Sequence, residues 1–275
     1  MSIRLATAET LVVATVLVAC ASARADDATN RVEPAPPMSR LTDNLYFNGS
    51  AGWEKPPGED STGFGSIGAN WGIPLTPPED VAVGLQLGGN VTFRDDDPEG
   101  NVTFGSFGRN FRIFNDQQGA IAALFDYRRT AFHNDVWDFR PIIGTTVSPQ
   151  DGLGLEAVAP LNTDRGQQAI GEFTGFWTRD WFDPFATELG LGYQFSGVDE
   201  GLLRARLAYG LTPQWDVGVG GDLNTDGDYA MGVVVSYHFG YTGRHAFLHN
   251  IGGSGAQLYT PFPDASFPEL LHRTR

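Results

Sequence analysis

Residues 222–239 read DLNTDGDYAMGVVVSYHF, and two incompatible patterns meet in them. The first half carries the D-x-N-x-D-G spacing of a calcium loop, with Asp222, Asn224 and Asp226 at positions 1, 3 and 5 and Gly227 at position 6. Position 12, where such a loop needs a bidentate Glu, is Val233. The second half supplies the reason. Val233, Val235, Tyr237 and Phe239 alternate with Val234, Ser236 and His238, which is the period of a strand and not of the helix that follows a calcium loop. Asp226-Gly227 therefore reads as a tight turn between two antiparallel strands, where a cation could bind only incidentally.

The same grammar extends back to about residue 42. Alternating runs of about 9 to 13 residues are separated by short clusters of Gly, Pro, Asp or Asn such as TPPED, SPQDG, VDEG and NTDG. The clearest run is VAVGLQLGGNVTF, in which Val81, Val83, Leu85, Leu87, Val91 and Phe93 share one face and Gln86, Asn90 and Thr92 the other. The pattern predicts about twelve strands, near 43–54, 62–73, 80–94, 100–113, 119–131, 135–147, 152–160, 167–179, 185–197, 201–211, 214–223 and 228–239. Short turns suit an all-β, antiparallel up-and-down sheet, and closure removes its two exposed edges.

Closure is possible with the apolar face inside, as a soluble secreted barrel, or outside, as a transmembrane β-barrel. Three features favour the membrane. The polar face is largely Gly, Ala, Ser, Thr and Gln, which suits a crowded interior better than a solvated exterior. Most runs reach the 9 to 11 residues, approximately, that a tilted strand needs to span a bilayer. Trp137, Phe139, Trp177, Trp181, Trp215, Tyr237 and Phe239 gather near strand ends, where membrane interfaces place aromatic rings.

Two likenesses follow from these residues. GVVVSYHF (232–239) resembles the terminal-strand signal read by the outer-membrane assembly machinery, although residues 241–275 follow it here. The runs ANWGIPL (69–75), VGLQLGGNV (83–91), FGSFGRN (104–110) and VWDFRPIIGTTVSPQDGLGL (136–155) resemble an uncharacterised planctomycete-type outer-membrane β-barrel family. That resemblance implies a fold and a location in the outer membrane of a Gram-negative-type bacterium, and it carries over no functional residue.

The flanks divide the chain. Residues 1–25 have the anatomy of a signal peptide, with Arg4, an apolar core and Ala23-Arg24-Ala25 as the cleavage site. Cys20, the single cysteine, sits in a Leu-Val-Ala-Cys setting that also fits a lipid-modified cysteine. Residues 26–41 are polar and proline-bearing and read as disordered, 42–240 form the barrel, and 241–275 are a tail, either periplasmic or inserted in the lumen. A formal net charge of −15 opposes general binding to nucleic acid phosphates.

Inside such a barrel the alternation places Gln86, Asp126, Arg128, Asp138, Arg140, Glu188, Arg204, Arg206, Asp216 and His238 as lumen-lining candidates. They could form a charged constriction that selects solutes, or pair with one another and brace the wall. Counted from a periplasmic N-terminus, the connection at 224–227 faces outward, and with 95–99 it makes an acidic rim. Some outer-membrane barrels are phospholipases, but Ser236 and His238 share the interior face, away from lipid, and no catalytic or cofactor motif is present. His133, His238, His245, His249 and His272 have no metal-ligand spacing. The expected partners are membrane lipid, the assembly machinery and an unspecified small solute. The expected role is a narrow passive pore or a structural barrel, with a surface-binding or envelope-anchoring protein as the alternative.

Overall fold

The computed structural model describes residues 45–55, 60–75, 82–93, 98–112, 118–129, 135–148, 150–162, 171–182, 185–195, 199–212 and 214–239. The expected signal peptide, residues 26–41 and the tail 241–275 lie outside them. Twelve strands are present: β1 Leu45–Lys55, β2 Thr62–Pro74, β3 Ala82–Phe93, β4 Pro98–Arg112, β5 Gln118–Arg129, β6 Asp135–Thr146, β7 Asp151–Asn162, β8 Gly171–Phe182, β9 Phe185–Phe195, β10 Glu200–Gly210, β11 Trp215–Asn224 and β12 Tyr229–His238. Each pairs antiparallel with its sequence neighbours, and β1 pairs with β12 to close the barrel. Every wall strand then has two partners, so backbone N–H and C=O groups are satisfied without water.

Side-chain hydroxyls and amides fix the described turns. Ser148 in SPQD and Thr212 in TPQW do the same work, each hydroxyl accepting the N–H groups two and three residues on, at 3.0 to 3.2 Å. Between β11 and β12, Asn224 Oδ1 accepts the Asp228 N–H at 2.8 Å and the Asn224 carbonyl accepts the Gly227 N–H at 3.2 Å. Gly227 has φ of 84°, and a Cβ there would meet nothing within 4 Å, so a side chain would cost only backbone strain. Gly227→Ala is expected to cost about 1–2 kcal/mol and Gly227→Asn much less, read as shifts of the urea midpoint of the refolded barrel.

Most boundaries differ from expectation by one or two residues, and the longest extension is in the eighth strand. The eighth strand runs to Phe182 and not to 179, and a register shift between Asp180 and Phe182 accompanies the extension. The Trp181 indole donates to Thr187 Oγ1 at 3.0 Å and lies under the Arg179 guanidinium, which keeps this polar end of the strand attached to the wall.

The exterior is apolar. Trp53, Phe93, Trp137, Phe173 and Phe195 are exposed towards the end that bears the β11–β12 turn, and Phe47, Trp181, Trp215 and Phe239 towards the other. Between these bands lie exposed Ile67, Leu85, Leu155, Leu189, Leu191, Leu207 and Val235. Rings pack against each other across strands, with Phe104 and Phe125 at 5.6 Å and Trp215 and Tyr237 at 4.9 Å between centroids. A continuous belt of this kind is far larger than a water-exposed patch tolerates, and it matches the lipid-facing band and aromatic girdles of an outer-membrane barrel. The chain is a transmembrane β-barrel of the outer-membrane type.

Candidate functional site

The inward faces meet in the interior, and three arginines organise them. Arg204 on β10 stands opposite Asp222 on β11, donating through Nε at 3.1 Å and Nη2 at 3.4 Å to its two carboxylate oxygens. The same guanidinium reaches Glu172 on β8 at 3.5 Å and Glu156 on β7 at 3.9 Å. It can cross β9 because Gly190 lies between: a Cβ there would sit 3.2 Å from Arg204 Cβ and 3.1 Å from Thr174 Cγ2. Arg206 pairs with Glu188, its cross-strand partner on β9, at 3.4 Å. Arg140 on β6 holds Asp126 on β5 in a bidentate pair at 2.8 and 2.9 Å, and the Thr103 hydroxyl donates to the same carboxylate. Asp138 lies directly opposite Asp126, so this arginine serves a site with two acids.

The expected interior residues are found buried: Gln86, Asp126, Asp138, Arg140, Glu188, Arg204, Arg206, Asp216 and His238. Arg128 occupies β5 opposite Val136, and its side chain lies outside the described residues. Apolar side chains share the interior in two clusters, Ala122, Leu124, Ile142 and Phe176 in one and Phe64, Ala186, Ala208 and Val234 in the other. The interior is therefore lined by charge and narrowed by hydrocarbon.

Six further carboxylates escaped the sequence pattern: Glu54, Glu156, Glu172, Glu200, Asp222 and Asp228 are all buried. Asn224 Nδ2 donates to Glu200 and, at 3.2 Å, to Asp228, which also lies 3.7 Å from the exposed Lys55 ammonium. The pattern alone gave four acids and four arginines, a nearly balanced interior. Among the described residues the balance is ten buried carboxylates against three buried arginines and one histidine.

At the opposite end His238 Nε2 lies 2.7 Å from Asp216 Oδ2, and its ring packs 5.3 Å from Tyr46. Ser236 Oγ and His238 Nδ1 have no hydrogen-bond partner among the described residues, so no nucleophile–base contact joins them. Glu172 Oε2, Asp216 Oδ1, both amide atoms of Asn70 and Gln86 Oε1 are likewise buried without a hydrogen-bond partner among the described residues. Among the described residues no group of three or more His, Cys, Asp or Glu has metal-binding geometry. Asp222 explains part of that result, since the first residue of the calcium-like motif is spent on Arg204.

No protein-family model matches the chain, and no curated protein does either. Solved structures with a similar backbone do. The KdgM porin superposes with a TM-score of 0.52 at 12% identity, over 70% of this chain and 99% of its own. The KdgM porin in complex with disordered oligogalacturonate gives 0.52 at 11%, over 70% and 99%. A chain from work on in-meso crystallization of membrane proteins gives 0.50 at 10%, over 70% and 83%. These likenesses are of fold, that of outer-membrane β-barrels.

Proposed function

We propose that this chain is a narrow passive pore for small solutes, with no enzymatic role. The observation that carries this reading is the excess of buried carboxylates over buried bases. The ten buried acids among the described residues cannot all ionise beside the three buried arginines found there in a dry interior, because an uncompensated buried carboxylate costs several kcal/mol, roughly, to desolvate. Water and counter-ions in the lumen meet that cost for the acids that no arginine reaches, and a hydrated lumen through a closed barrel is a conduction path. A barrel serving only as a scaffold would be filled more cheaply with hydrocarbon.

Purified protein in planar bilayers is expected to give stable single-channel steps of small unit conductance, and silence at every voltage would overturn the reading. The KdgM porin is seen in complex with oligogalacturonate, but that substrate class is not favoured here, since each buried arginine among the described residues is already held by carboxylate. The likeness of 69–75, 83–91, 104–110 and 136–155 to the planctomycete-type barrels supports membership of that family. Recognition of 232–239 by the assembly machinery and an outward-facing β11–β12 turn belong to the same proposal. The surface-binding alternative would rest on 95–99 and 241–275, which lie almost wholly outside the described residues.

A further inference from the structure

We infer that the pore selects cations over anions, an inference that rests on the pore reading above. Selectivity in a narrow passage follows the sign of the fixed charge along it, because low-dielectric walls focus the field on a permeating ion. Among the described residues the sign is acidic and the buried arginines are paired. Arg140 and Arg206 each face a carboxylate, and Arg204 is outnumbered by Asp222, Glu172 and Glu156. An entering anion therefore meets no uncommitted guanidinium among the described residues.

The carboxylates, by contrast, keep capacity for a cation. Glu172 Oε2 and Asp216 Oδ1 are buried acceptor atoms with no hydrogen-bond partner among the described residues. They lie in different parts of the barrel: Glu172 near the start of β8, Asp216 beside the β10–β11 turn at the other end. In a hydrated lumen a monovalent cation would be attracted at both positions, while an anion would be repelled by both. The solute class that suits this lumen is small cations and small cationic organic solutes.

The test is the reversal potential of single channels of the mature chain under a potassium chloride gradient. A permeability ratio of potassium to chloride of about ten is expected. The double variant Glu172→Gln with Asp216→Asn should lower that ratio about threefold or more. The wild-type potential decides the sign without any variant. Channels with no preference, or with preference for chloride, would overturn the cation inference and leave the pore intact. Absence of channels would overturn the pore reading and this inference with it.

Discussion

Arginine in place of Leu191 is expected to destabilise the barrel in lipid by about 2–4 kcal/mol, the cost of a cation on the lipid face near the bilayer midplane. Leu191 is 72% exposed near the middle of β9, beside exposed Leu189 and with Leu203 as its cross-strand neighbour on β10. In water such an exposed leucine contributes almost nothing, and its replacement by arginine stays within about 0.5 kcal/mol of neutral. The substitution thus separates the two ways of closing this sheet by sign and size. Guanidinium unfolding in phospholipid vesicles reads the change, and Asp226→Arg, on the exposed β11–β12 turn, is the control expected to leave the midpoint in place. A neutral Leu191→Arg would show that the apolar face meets water, and the membrane assignment would fall.

The sequence made the wall legible because alternation is a local property. A strand with one lipid face must repeat with period 2, so twelve runs could be read, and turn residues such as Gly227 marked where they end. The charge of the lumen was less legible, for reasons that differ by residue. Glu54 closes β1 next to Lys55, where parity is hard to separate from an ordinary polar strand end. Glu200 and Asp228 fall beside turn clusters, whose acidic residues normally face solvent. Asp222 was masked by the calcium-like spacing around it. Glu156 and Glu172 sit in runs where small residues such as Ala157 and Gly175 weaken the outward signal, and β8 extends further than its pattern suggested.

Pairing was less legible still, because it depends on register across strands. Arg206 finds Glu188 eighteen residues back, and Arg204 reaches β8 and β7 beyond its neighbour β9 because Gly190 leaves room. The missed charged residues were all acidic, and all but Glu156 sit near strand ends. Acids are the residues that turns and strand ends also use, so position alone does not reveal which of them turn inward.

Replacing Arg204 by glutamine should give the second large effect, a loss of about 3–5 kcal/mol in unfolding free energy, the usual cost of removing one partner from a buried charge cluster. Arg204 is 1% exposed, and without it Asp222, Glu172 and Glu156 face one another with their shared cation removed. Repulsion among the acids would then dominate, so adding Asp222→Asn to the same chain should recover part of the loss, with a coupling of roughly 0.5–3 kcal/mol in a double-mutant cycle. The cycle is read from urea midpoints in vesicles, with folded protein scored by its resistance to unfolding in cold detergent. Recovery by the second substitution would show that the loss comes from charge and not from the volume of the arginine, since asparagine adds no bulk at that site. A loss below about 1 kcal/mol with no coupling would mean that water solvates these acids already and that Arg204 braces nothing. In the expected case bracing and selecting are the same arrangement: the guanidinium that ties β7, β8 and β11 to β10 also leaves the lumen acidic, because one positive charge is shared among three negative ones.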